Sequence, residues 1–305
     1  MDQINYSQYR TYHLSTPDGL ITNDNKILNM SRFFELNTNE QLDIIKCVIA
    51  VNNTKLFMNI TSLLGNFNSE IDDHILLKVA SVNGAYYMLQ YFIQNGMNIT
   101  VCNNFAIKAV ISNSIRRNHK YTKEIIVMLI ENGADIHVDN DFPLRVSVSC
   151  LDIEHVNILI QYGANVRNSD LLQIACAHPS PNMLQFLIDC GMTIDTYITN
   201  DIITDIIIGH DYAGIEIIKI LLANGVNSSN SDIFHPAVLI RVIKSGSFEL
   251  VKLLTDYGAI FSVVNNTKIN NCDLSTNKMM EFLLASGVDP VQLAVIAFTA
   301  SDYES

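Results

Sequence analysis

The residues best suited to chemistry in this chain are few and scattered. Cys176-Ala177-His178, beside Pro179, is the tightest pairing of metal-ligating types. Tetrahedral zinc takes four ligands, or three plus water, and no second pair lies close by in sequence. The six cysteines, Cys47, Cys102, Cys150, Cys176, Cys190 and Cys272, include no Cys-x-x-Cys pair. They read as reduced thiols of an intracellular protein, each acting as a small buried hydrophobe. Nucleophilic catalysis asks for Ser or Cys beside a base and an orienting carboxylate. His155 falls at a helical position that reads as variable surface, and His210 stands beside Asp211. Neither is near a glycine-rich nucleophile turn, and the G-x-S-x-G, G-x-x-x-x-G-K-S/T and H-E-x-x-H signatures do not occur. The expectation is a protein that is not an enzyme and needs no metal or cofactor.

One dense patch of charge remains. SIRRNHKYTK at 114–123 carries Arg116, Arg117, Lys120 and Lys123 with His119, four of the chain's 19 Lys and Arg residues. Such a group could dock an acidic peptide or a phosphate, or it could be a solvated insertion of low entropic cost. The chain as a whole is acidic, with a formal net charge of −12. That speaks against a nucleic-acid partner, whose phosphates supply most of the affinity for basic faces, and against an anionic membrane surface. The longest apolar run, Val291–Ala300, falls well short of the roughly 20 residues of a spanning helix. The opening MDQINYSQYR has neither the basic nor the apolar region of a signal peptide. The expected location is intracellular and cytoplasmic, and the expected state is a monomer.

The elements that must position these residues follow from a repeat. An apolar pair, two mostly polar residues, Gly and a small or apolar residue recur as FIQNGMNI at 92–99, LIENGADI at 129–136, LIQYGANV at 159–166 and LIDCGMTI at 187–194. The phrase continues as LLANGVNS at 221–228, LLTDYGAI at 253–260 and LLASGVDP at 283–290. Its glycines, Gly96, Gly133, Gly163, Gly191, Gly225, Gly258 and Gly287, are spaced 37, 30, 28, 34, 33 and 29 residues apart. Apolar side chains at helical spacing precede each one, so each Gly marks a helix stop that needs φ > 0. A second short apolar stretch lies upstream, and Asn83-Gly84 and Ser245-Gly246 supply turns between the two. Each unit reads as helix, tight turn, helix, Gly stop and extended loop. Neither helix can bury its apolar face alone, so neighbours must stack.

These units resemble the ankyrin family, whose consensus runs Thr-Pro-Leu-His-x-Ala-Ala, a Gly turn, and a second helix ending Leu-Leu-x-x-Gly-Ala-Asp/Asn. FPLRVSVSCLDIEHVNILIQYGAN at 142–165 aligns with it without a gap, placing Pro143 and Leu144 on Pro-Leu and Gly163-Ala164-Asn165 on the end. The Ile- and Asn-rich composition is similar to that of the divergent ankyrin proteins of large DNA viruses. No unit holds the full Thr-Pro-Leu-His; the His position carries Lys78, Lys108, Arg145, Gln173, Ile207 and Ile240. In the last unit Lys268 replaces a core Leu, and Asn270, Asn271 and Asp273 interrupt the first helix.

The resemblance implies an all-α, ankyrin-repeat solenoid of stacked helix-turn-helix units with short hairpin-like loops. Residues 1–38 would be a cap or partly disordered segment, 39–74 a degenerate repeat, 75–290 the ankyrin repeats and 291–305 a C-terminal cap or tail. It also implies binding of a protein partner, of unspecified identity, through the concave face. Loop tips carry such contacts in the family, and the matching residues here are His137, Asp139, Asn140, Arg167, Asn168, Asp195 and Tyr197. An alternative is a viral-type adaptor that recruits a host ubiquitin ligase, although the tail VQLAVIAFTASDYES resembles no such module.

Overall fold

The computed structural model describes residues 33–64, 73–117, 120–178, 180–194, 205–207, 211–225, 234–262, 277–291 and 293. Asp195, Tyr197, His119, His210, Lys268, Asn270, Asn271, Asp273, the first 32 residues and the tail from 294 lie outside them. Among the described residues the chain is all-α and contains no strand. Two compact units divide it, one ending at Ala164 and one beginning at Asn165.

Among the described residues the first unit holds four helix pairs. They are α1 (Thr38–Ala50) with α2 (Thr54–Leu64), α3 (Asp73–Val82) with α4 (Tyr86–Gln94), α5 (Val101–Arg117) with α6 (Thr122–Glu131), and α7 (Val138–Ser149) with α8 (Ile153–Gln161). First helices pack on first helices, from α1 through α3 and α5 to α7, and second helices pack likewise from α2 to α8. The core is the seam between these layers. Ile49, Leu77, Ile107 and Leu144 reach it from the first helices, and Ile60, Leu89, Ile126 and Leu159 from the second, all fully buried. The second unit holds α9 (Ser169–Ala177), α10 (Pro181–Asp189), α11 (Asp211–Ala223), α12 (Pro236–Lys244), α13 (Phe248–Asp256) and α14 (Asn277–Ala285). There α10, α11 and α13 form the second-helix layer, around Leu187, Leu221 and Leu254.

Several second helices close in the same way. The Gly163 amide donates to the Ile160 carbonyl and the Ala164 amide to the Leu159 carbonyl, both at 2.9 Å, with Gly163 at φ 98°. This pair of bonds satisfies two of the carbonyls that any helix end leaves unpaired. The pattern repeats at Gly96, Gly133, Gly191 and Gly258, where the next residue donates to Phe92, Leu129, Leu187 and Leu254. A Cβ placed on Gly163 would meet nothing within 4 Å. The glycine is therefore required by its backbone angle and not by crowding.

The turn between first and second helix has its own positive-φ residue: Gly84 at 60°, Gly246 at 69°, and in register with them Asn52 at 59° and Leu151 at 59°. The next residue often caps the second helix. Asn53, Asp152 and Ser247 accept from the amides three residues on, at 3.0, 3.0 and 3.3 Å. Leu151 is the exception to the chemistry of this turn, because a Cβ in the left-handed region costs roughly 1–2 kcal/mol.

The loops depart from the hairpin-like form that the resemblance implies. Eight residues, 134–141, separate Gly133 from the right-handed part of α7 at Phe142, and none of them is in a strand. They form an Asx turn, with the His137 amide donating to Asp135 Oδ1 at 2.8 Å, and then a left-handed turn at Asp139, Asn140 and Asp141 with φ 52°, 58° and 57°. The same turn opens α5 at Cys102, Asn103 and Asn104. Asn and Asp are the side-chain types that tolerate this region best.

Two substitutions separate the turns. Leu151 is 42% exposed, so Leu151→Gly gives up little burial; relief of the strain outweighs the roughly 0.5–1 kcal/mol that Gly loses in entropy. The midpoint of chemical denaturation should rise for Leu151→Gly and fall, by more than about 1 kcal/mol, for Gly163→Val. Equal midpoints for both variants and the wild type would contradict the backbone assignment.

Candidate partner interface

The loop rim of the first unit brings several polar side chains together. Lys108 lies at the position where ankyrin repeats carry His, and its side chain is 3% exposed. Its ammonium reaches out of the α5 layer to Asp139 Oδ2 in the next loop, at 2.6 Å. The amide of Asn103 donates to the other carboxylate oxygen of Asp139 at 2.8 Å, and the Asp135 backbone amide donates to Asn104 Oδ1 at 2.9 Å. The two left-handed turns are thus tied to each other, turn to turn. Lys108 first, and then Asn103, hold the Asp139 carboxyl below the ordinary carboxylate range. His137 Nδ1 lies 2.6 Å from Asp141 Oδ1, within its own loop.

The loop-tip residues read from the sequence divide by this geometry. His137, Asp139 and Asn140 are all exposed on the 134–141 loop, with Asp139 already engaged by Lys108 and Asn103. In the second unit Arg167 is exposed, its amide donating to Asn165 Oδ1 at 3.0 Å, while Asn168 is half-buried and caps α9 through the Asp170 amide at 3.0 Å. Arg116 and Arg117 lie in the last turn of α5, and Lys120 is exposed just before α6. Sequence reasoning missed the left-handed turns and the Lys108–Asp139 tie. The signal was present in the Asn-Asn and Asp-Asn-Asp runs that stand at the same place in successive units.

The residues singled out for chemistry do not assemble. Among the described residues no group of three or more His, Cys, Asp or Glu is close enough to hold a metal. Cys176 is buried and its thiol is pushed up to about 12 by that burial. Cys47 is buried and pushed up to about 11, first by burial and then by Asp43. Cys102 departs from the expected burial; it is exposed because it opens the left-handed turn. His155 corrects the surface assignment, since it is 4% exposed and packs inside the first unit. Its Nδ1 lies 2.9 Å from Asp152 Oδ2 but out of line for a hydrogen bond. Burial pushes the His155 imidazole below its ordinary value, against the pull of Asp152 and Glu154 and with the push of Lys123.

Comparison with known proteins gives the family. An ankyrin repeat protein of Acanthamoeba polyphaga mimivirus is 31% identical over 266 residues, covering 86% of this chain and 80% of that protein. The chain is an ankyrin repeat protein. Two further ankyrin repeat proteins of the same virus are each 24% identical, one over 274 residues (85% of this chain, 73% of the relative) and one over 230 residues (70% and 71%). No family model matches the chain. Among the described residues no helix is long and apolar enough to cross a membrane.

The rim and the buried histidine each predict a measurable effect. Asp139→Asn leaves the buried Lys108 ammonium without its carboxylate and should cost about 1–3 kcal/mol. Adding Lys108→Met should recover most of that loss, and additive losses in the double-mutant cycle would show the pair to be uncoupled. His155 has a folded pKa below its unfolded one, so the unfolded chain binds the extra proton first. Stability is complete above the unfolded value of about 6.5 and falls as pH drops below it. Melting temperatures from pH 8 down to pH 5 should therefore decline less for His155→Gln than for the wild type; parallel declines would remove His155 from the account.

Proposed function

We propose that this ankyrin repeat protein binds a protein partner through first helices and loop tips, which form the concave face of ankyrin stacks, with His137 and Asn140 as contacts of the first unit and Arg167 as a contact of the second unit taken by itself. The observation that carries the proposal is the construction of the rim. His137, Asn140 and Arg167 are exposed on loops whose backbones are already fixed by Asx turns, and by the left-handed turn in the first unit. A partner meeting such loops orders little on binding, so more of the contact energy survives as affinity. Arg is also among the side chains that dominate interface energetics. Asp139 plays a different part: engaged by Lys108 and Asn103, it holds the loop in shape. Asp195 and Tyr197, also proposed as tips, lie outside the described residues. So does the tail at 294–305, on which recruitment of a ubiquitin ligase would turn, and no observation among the described residues favours that reading.

The test uses the partner captured by proximity labelling in the host cell and purified. His137→Ala, Asn140→Ala and Arg167→Ala together should weaken its binding about tenfold or more while the helical circular dichroism stays that of the wild type. Binding equal to wild type would place the interface elsewhere.

A further inference from the structure

The opposite ends of the helices in the first unit carry a different surface. The loop tips lie where first helices begin; the helix-to-helix turns lie where they end. At that far end three tyrosines from two successive turns meet. Tyr86 stacks on Tyr121 with ring centroids 5.1 Å apart and planes 30° apart. Tyr87 packs edge-on against both, at 5.2 Å from Tyr86 and 5.7 Å from Tyr121. The hydroxyls of Tyr87 and Tyr121 are 3.3 Å apart. Tyr87 remains 46% exposed, and Tyr86 and Tyr121 are half-buried. Lys120, exposed, sets its ammonium 5.1 Å from the centre of the Tyr121 ring.

The basic insertion ends on this platform. Measured from Phe105 and Phe142, which stand in register, α5 runs five residues further than α7, about 7 Å of extra helix. Its last two residues are Arg116 and Arg117. Lys123, in the first turn of α6, is paired with Glu154. Within 114–124 Glu124 is the one acidic residue against four cations. A positive patch is complementary to acidic segments, and it stands out on a chain of net charge −12. The rings add apolar contact area with polar edges and few torsions to freeze. They already pack on one another, so their ordering does not wait for a ligand.

We propose that Tyr86, Tyr87, Tyr121 and Lys120 form a second docking surface, for an acidic linear segment of a partner protein. An acidic side chain pairs with Lys120, and an adjacent apolar or aromatic side chain lies on Tyr87. This surface is independent of the loop-tip face, because it sits at the other end of the helices and shares no residue with it.

The test is selection of random dodecapeptides displayed on phage against the full-length protein. Enriched peptides should be rich in Asp and Glu with an apolar or aromatic neighbour. Their synthetic forms should bind more weakly as salt rises. Lys120→Glu, a change at an exposed side chain, should weaken them about tenfold or more, and Tyr87→Ser should do the same. The triple loop-tip variant at His137, Asn140 and Arg167 should bind them as the wild type does, which separates this surface from the proposed partner face. Helical circular dichroism and melting temperature check the fold of each variant, and Lys120→Glu carries the test if Tyr87→Ser unfolds. No enrichment, enrichment without acidic residues, or binding unchanged by Lys120→Glu would overturn the proposal. So would tighter binding of an oligouridylate than of the selected peptides, which would reassign the aromatic and basic groups to single-stranded nucleic acid.

Discussion

A chain reversal at positive φ is the constraint on which each repeat depends. The second helix must stop at the same depth each time, or the next first helix cannot return to pack on its predecessor. Gly163 and its equivalents achieve this through backbone angle alone. The amides around the stop bond back to the last turn of the helix, and the residue after it, such as Ala134 or Ala164, is itself buried. The stop is thus both a hydrogen-bond closure and a small addition to the core. Because a single helix pair buries too little, each repeat draws stability from its neighbours, and a fault at one stop is felt by the pair on either side.

A second tie acts at the loop rim. Where ankyrin repeats use a His to fix the start of the first helix, this chain places a Lys that reaches forward instead. Lys108 gives its charge to Asp139 of the following loop, and Asn103 reaches the same carboxylate. The loss of the family motif is therefore a change in the direction of a polar contact, from within a repeat to between repeats. Lys78, in register with Lys108, has its ammonium 5.8 Å from the centre of the Phe105 ring in the next repeat. Both cations point toward the following unit.

Much of the fold was legible because glycine has few substitutes at φ near 97°. The recurring Gly and the apolar spacing before it give the helix pairs, and Gly84 and Gly246 give two of the inner turns. Asn52 and Leu151 hold the same turn, and Leu151 has no local signature, since it adopts that angle only because the packed helices on both sides demand it. The left-handed loop turns were harder to read. Asn and Asp also favour ordinary turns and caps, so their runs suggested a loop without fixing its hand. His155 illustrates the third limit. Its spacing on α8 allows either face, and only the neighbouring repeat decides that the imidazole is buried. The tip residues His137, Asn140 and Arg167 follow from register alone, while the role of Asp139 required coordinates. The tyrosine platform is dispersed over 36 residues of sequence and is assembled only by stacking.

The claim that chain reversal at a glycine governs the stack is tested most directly by native-state hydrogen exchange, read residue by residue, on the wild type and on Gly133→Val. Gly133, at φ 96°, sits between the α5/α6 and α7/α8 pairs. The account predicts that the variant loses protection in both of those pairs while α1 and α2 keep most of theirs, because coupling between repeats passes from neighbour to neighbour. Protection unchanged in the variant, or lost to the same degree from α1 to α8, would contradict it.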